Sequence, residues 1–157
     1  MERRPEPAPD PVAATTPAPA GGSMPVAERR LALRVVTMPK DTNHYGTIFG
    51  GVVLAYIDQA GFVEARRLKA CRWVTAAIDR VEFKAPVNVG DIVDCWAKTT
   101  RIGTTSVTVE VDVEVERYDD RSRVPVTHAT LVMVAVDEHG RPLPLNVPPR
   151  QTPAAPR

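Results

Sequence analysis

One helix-forming stretch, apolar on every side of its first turns and set among several long strands, restricts this chain to folds in which a sheet surrounds a helix. The stretch is 43–69, NHYGTIFGGVVLAYIDQAGFVEARRLK. It opens as a glycine-containing loop, passes through Gly50-Gly51, and continues as a helix of about five turns, since 3.6-residue spacing links Val53, Ile57, Ala60 and Val63. A helix apolar all round belongs in a protein interior. Yet Asp58 stands at its centre among Leu54, Ala55, Phe62 and Ala65, with no basic residue three or four positions away. Burying an unpaired carboxylate is costly, so such a group either takes hydrogen bonds from elsewhere, sits at a wet interface, or is kept for chemistry. The glycines favour the last reading. They let a ligand or another backbone come close, and the free N–H groups of a helix's first turn suit an oxygen that becomes negative during reaction. Asp58 is two turns further in, roughly 10 Å along the axis.

The rest of the pattern is one strand before the helix and a series after it. Strands are expected at 31–37, 73–83, 92–100, 106–116 and 124–136, with turns around Pro39, Pro86 and 88–91, at 101–104, at 118–123 and at 137–140. The clearest is 106–116, where Val107, Val109, Val111, Val113 and Val115 alternate with polar residues, so one face is buried and the other wet. Eleven residues at roughly 3.3 Å each make strands near 36 Å long. Four or five of them with a single helix imply an α+β architecture, a curved antiparallel sheet wrapped around one long central helix. Such a sheet keeps an open edge, and pairing with a second copy is expected.

Composition narrows the function classes. A chain of 157 residues with 43% hydrophobic content holds one domain with a core. The net charge of +1, with basic residues scattered among acids, offers no field for nucleic acid. No apolar run approaches the roughly 20 residues that span a bilayer, and the N-terminus has no apolar segment of a secretory signal. Cys71 and Cys95 have no metal-ligand or redox spacing and point to reduced thiols in a cytoplasm. Three scattered histidines make no metal site. Thirteen of the 16 prolines fall in 1–25 and 142–157. Residues 1–25 therefore read as a disordered Pro/Ala-rich tail, 26–146 as the domain, and 147–157 as a second Pro-rich tail, with Leu143 and Leu145 able to pack back.

The stretch 38–61, MPKDTNHYGTIFGGVVLAYIDQAG, resembles the acyl-CoA hydrolase branch of the hotdog-fold thioesterases, whose pattern is an Asn, a Gly three on, a Phe/His-Gly-Gly and a helical Asp. Here these are Asn43, Gly46, Phe49-Gly50-Gly51 and Asp58, and the resemblance continues through 74–93, 101–115 and 127–145. It implies a hotdog fold and hydrolysis of an acyl-CoA thioester to a free acid and CoA, without metal or other cofactor. By that resemblance Asp58 is general base or nucleophile, Asn43 positions water or thioester across a dimer interface, and the Gly51 amide polarises the carbonyl. Phe49 and Gly50 would line the substrate, and Arg101, Gly103, Thr104, Thr105 and Ser106 would hold the CoA moiety, with Lys84 as a further basic candidate. On residue types alone, 101–106 is a hairpin turn. The resemblance implies a homodimer at least, with a trimer of dimers as the larger alternative. A hotdog dehydratase or hydratase, which pairs a loop histidine with the helical carboxylate, is the second reading, although His44 matches the hydrolase pattern. A non-catalytic acyl-CoA-binding dimer is the third.

Overall fold

The structure, a computed structural model, describes residues 28–146. The proposed tails at 1–25 and 147–157 lie outside the described residues. Strand β1 (Arg30–Val36) leads through a short 3-10 turn (Pro39–Asp41) to helix α1 (Gly50–Leu68), which is followed by β2 (Arg72–Asp79), β3 (Ile92–Ile102), β4 (Ser106–Glu116) and β5 (Arg123–Val136). The strands form one antiparallel sheet in the order β1-β3-β4-β5-β2, and α1 packs against all five.

The alternation in β4 decides which face meets the helix. Val107, Val109, Val111, Val113 and Val115 are all buried, and they pair with Met133 and Leu131 of β5 and with Ala97 and Cys95 of β3 on the same face. Every strand pairing carries a register shift, between Leu31 and Leu33, Thr75 and Ala77, Thr99 and Arg101, and Val113 and Glu114. Each such irregularity bends its strand and increases the local twist, which is how a five-stranded sheet curls over one helix. The helix comes close at Gly61, where a Cβ would stand 2.8 Å from Cδ2 of Leu131. On the opposite face the acidic residues of β4 have partners: Glu110 pairs with Lys98, Asp112 pairs with Arg29 and is hydrogen-bonded to His128, Glu114 pairs with Arg29, and Glu116 pairs with Arg34 and Arg123.

Three expectations need correction. The strand expected at 73–83 ends at Asp79, because Arg80 takes a φ of +24° and turns the chain out of the sheet. The helix stripe that faces the core is Val53, Ile57, Ala60 and Glu64, with Val63 only half-buried. The helix is also not enclosed on all sides in a single protomer, since Leu54 and Phe62 are 37% and 38% exposed.

The fully buried carboxylate of the helix is accordingly Glu64, not Asp58. Glu64 accepts from Arg30 Nη2 at 2.9 Å, from Arg67 Nη1 at 2.8 Å and from Thr99 Oγ1 at 3.2 Å, so its charge is compensated where it is desolvated. Arg67 also donates to the Leu31 carbonyl at 2.9 Å, tying the end of α1 to the start of β1.

Strand β2 lies at one edge of the sheet and Trp73 is its single buried residue. Val74 and Ile78 are 47% and 38% exposed beside an unpaired backbone edge. With Leu54 and Phe62 they make a continuous reason for a second protein surface to cover this side. Leu145 packs back into the core as expected, and its N–H bonds the Thr104 carbonyl at 2.8 Å.

Candidate functional site

The start of α1 is fixed from three sides. Ile48 N–H donates to the Val87 carbonyl at 2.8 Å, Phe49 N–H to the Asp41 carbonyl at 2.8 Å, and Val52 N–H to the carbonyl of Phe49 at 2.9 Å. Those bonds leave out two donors. Among the described residues, neither the Gly50 nor the Gly51 N–H has a protein acceptor. Both point out of the helix end, where the partial positive charge of the peptide dipoles is concentrated.

Steps of 100° place Gly51, Leu54, Asp58 and Phe62 on one face of the helix, turned from the buried stripe toward β2. Asp58 is half-buried there and accepts a short hydrogen bond from the Thr75 hydroxyl on β2. Among the described residues it has no cationic partner. A carboxylate, an open amide two turns away and a hydroxyl bonded to that carboxylate thus share one surface. Thr75 had no signal in the sequence, because it becomes a neighbour of Asp58 only through the sheet.

The remaining candidates divide into two groups. Phe49, Gly50, Gly51 and Lys84 gather at the helix start, where Gly50, Phe83, Lys84, Pro86 and Val87 line a half-open cleft of about 300 Å³ with polar and apolar surface in similar measure. Asn43 belongs to the loop leading there, but its side chain is turned onto its own loop. Its Nδ2 donates to Thr47 Oγ1 at 2.9 Å, and its Oδ1 accepts from the N–H groups of Tyr45 at 2.9 Å and Thr47 at 3.3 Å. His44 is exposed and stacks on Tyr45 with ring centroids 3.8 Å apart.

Arg101, Gly103, Thr104, Thr105 and Ser106 lie at the other end of the molecule. The β3–β4 hairpin touches the segment at Leu145, and Lys69, just past the helix C-terminus, donates to the neighbouring Pro144 carbonyl. A helix of 19 residues, roughly 28 Å, separates this hairpin from Gly50 in the same protomer. Gly103 N–H closes the hairpin onto the Ser106 carbonyl, and the carbonyls of Thr104 and Thr105 are taken by Leu145 and Ala135. Arg101 and Thr104 are exposed.

Among the described residues no group of three or more His, Cys, Asp or Glu side chains could hold a metal ion, and no helix is long and apolar enough to cross a membrane. Cys71 and Cys95 are both unpaired, and burial pushes the Cys95 thiol up to about 12.

Comparison with known proteins bears on the family and the fold. Residues 45–120 match the profile of the thioesterase superfamily. The chain is 38% identical to the acyl-CoA thioester hydrolase YciA of Salmonella typhimurium over 120 residues, which cover 74% of this chain and 90% of that protein. Among solved structures, a hexameric thioesterase from Yersinia pestis superposes with a TM-score of 0.72 at 37% identity, covering 76% of this chain and 97% of that one. A hexameric hotdog fold thioesterase of Campylobacter jejuni superposes with a TM-score of 0.69 at 44% identity, covering 73% and 88%.

Proposed function

The chain belongs to the thioesterase superfamily, and on that premise we propose that it is an acyl-CoA thioesterase, hydrolysing an acyl-CoA thioester to the free carboxylic acid and CoA. One observation carries the assignment of the site: the open Gly51 amide and the cation-free Asp58 carboxylate share a helix face. A thioester needs those two things above all, an activated oxygen nucleophile and donors for the carbonyl oxygen, because its thiolate leaves with little proton assistance.

In this reading the thioester carbonyl oxygen accepts from the Gly51 N–H, with Gly50 beside it. Asp58, oriented by Thr75, takes a proton from water as the water oxygen bonds to the carbonyl carbon. The tetrahedral intermediate collapses, the C–S bond breaks, and the thiolate leaves as CoA. The alternative role of Asp58 is direct attack, giving an acyl-aspartate anhydride that water then opens. The chemistry needs no cofactor on either route. Rapid quench of a single turnover separates the routes: an acylated Asp58 is trapped if it is the nucleophile and is absent if it is a base, and ¹⁸O from labelled water found in Asp58 establishes an anhydride opened at its aspartyl carbonyl.

The working unit is a dimer at least, formed across the β2 edges, with a trimer of dimers as the complete assembly. The exposed Val74, Ile78, Leu54 and Phe62 support it, as does the hexameric state of the two structural relatives. Arg72 of β2 lies at the hairpin end of the sheet and Asp79 toward the helix start. Antiparallel pairing of two β2 strands would therefore bring a partner's Arg101–Ser106 end beside this protomer's Gly50-Gly51. The CoA moiety would then be held by one chain while the other performs the chemistry, with Lys84 at the rim and Asn43 acting across the interface. Unpaired Cys71 and Cys95 suit a cytoplasmic location.

Purified protein given a panel of acyl-CoAs from two to sixteen carbons, with a thiol reagent present, tests the proposal. Release of free CoA that Asp58→Asn slows by about a hundredfold or more is the expected result. Loss of an enoyl-CoA ultraviolet band without CoA release would assign a lyase instead, and tight binding without turnover a binding protein.

A further inference from the structure

Helix α1 begins with an unusual cap. Phe49 occupies the N-cap position in an extended conformation, with φ −63° and ψ 131°, and offers no side-chain hydrogen bond. N-caps strongly favour Ser, Thr, Asp and Asn, whose side-chain oxygen accepts the N–H of the second or third helical residue. Here those residues are Gly51 and Val52. Val52 is already satisfied by the Phe49 carbonyl, so a capping oxygen at position 49 would fall on the Gly51 N–H.

The phenyl ring is folded back instead. A Cβ at Gly51 would stand 2.7 Å from Cε1 and 3.0 Å from Cδ1 of Phe49, closer than real side chains pack. The ring therefore occupies the space that only glycine leaves open at position 51. On the other side of the helix end, a Cβ at Gly50 would meet Cε2 and Cζ of Phe83 at 3.6 Å. Phe49 and Phe83 are 58% and 47% exposed, so neither ring is spent on the hydrophobic core.

Resting on the thioesterase reading above, we propose that Phe49 is a positioning residue for the reaction: it leaves the Gly51 amide unclaimed by any cap and walls that amide from water on one side. A hydrogen-bond donor aimed at a developing oxyanion is worth most where water is excluded and where it needs no partner exchange before reaction. A polar cap at position 49 would act against both requirements. The same substitution that completes the helix would place an intramolecular acceptor where the substrate carbonyl has to bind.

Four variants of the full chain test this, each measured for kcat, KM and thermal melting: Phe49→Leu, Phe49→Ala, Phe49→Ser and Phe49→Asp. Leu keeps an apolar wall and is expected to hold kcat within about threefold of the parent. Ala removes the wall and is expected to lower kcat about tenfold, with KM less affected, because an interaction realised in the transition state is lost. Ser and Asp are expected to melt above Ala, as better caps, while turning over about tenfold more slowly than Ala. Opposite movement of stability and kcat is the signature, since a merely structural role would move them together. If Ser and Asp equal or exceed Ala in kcat, or if Ala matches the parent, the proposal is overturned. Asp58→Asn in the same series separates the two levels: an active Asp58→Asn would overturn the underlying assignment of the base, whereas an inactive one beside a fully active Phe49→Ser would overturn the role of Phe49 alone.

Discussion

The hydroxyl of Thr75, on the edge strand, is hydrogen-bonded to Oδ1 of Asp58, at the middle of the helix. The bond joins the two elements that face the open side of the protomer, and it limits the directions in which the carboxylate can present its second oxygen.

Replacing either partner has a graded outcome. Asp58→Asn should lower kcat by about two to four powers of ten without unfolding the protein, since the general base is lost. Thr75→Val should lower kcat about tenfold, and Thr75→Ser should restore most of it, because the hydroxyl orients the base and does no chemistry itself. Steady-state kinetics on one acyl-CoA check the order; a Thr75→Val enzyme as fast as the parent would remove that role.

Asn43 makes three hydrogen bonds within its own loop, whereas His44 is exposed on Tyr45. Asn43→Ala is therefore expected to impair turnover by at least about tenfold and His44→Ala by less than about threefold. Equal, normal rates for both would clear this loop of any part in the reaction.

On the β2 edge, Ile78→Lys places a charge where the apolar strand lacks cover. Edge lysines oppose strand pairing. Sedimentation should show a shift to smaller species, accompanied by loss of activity, whereas an unchanged assembly would mean that the subunits meet elsewhere.

Glu64→Leu leaves Arg30, Arg67 and Thr99 without their shared acceptor. Breaking a buried ion pair from one side costs about 3 kcal/mol, reduced here by the partial exposure of both arginines. Urea denaturation should show a clear fall in the midpoint, and a midpoint equal to that of the parent would show the network to be energetically idle.

Several carboxylates are more acidic in the folded protein than in the unfolded chain. The Lys40 ammonium holds Asp41 below the usual range, Arg121 does so for Glu116, and the Arg141 backbone N–H for Asp137. A group shifted this way contributes stability that is present above its unfolded pKa, about 4, and is lost as pH falls through the lower folded value. Melting temperature should accordingly hold steady from pH 7 to about 5 and decline below about 4. A melting temperature that rises on acidification would contradict these pairings.

Much of the fold was legible because strand alternation is a local signal. The β4 boundaries, 106–116, coincide with those expected, and the valine face is the buried one. The end of β2 was not legible, because the φ of Arg80 carries no mark in residue types. Glu64 could have been found: it lies on the Val53, Ile57 and Ala60 stripe, and only the habit of placing charges outside hid it. The helical residues of the proposed site were singled out by motif spacing, whereas Thr75 was not, since a contact 17 residues away depends on how β2 returns along the helix. The separation of the hairpin at Arg101–Ser106 from the helix start also needed the topology, which antiparallel register alone supplies.

Six residues divide Glu64 from Asp58, an angular offset of about 120° around the helix axis. Arg30 of β1 and Thr99 of β3 hold Glu64 from outside the helix, and Arg67, on the helix itself, bonds both Glu64 and the Leu31 carbonyl, an anchorage that opposes rolling of the helix. With side-chain tips about 5–6 Å from the axis, a roll of ~20° would sweep the Asp58 carboxylate through ~2 Å. Displacements of that size are enough to spoil a reactive geometry. A substitution chosen to relieve the charged cluster can therefore misdirect an attack occurring on another side of the same helix, even where the new side chain packs well.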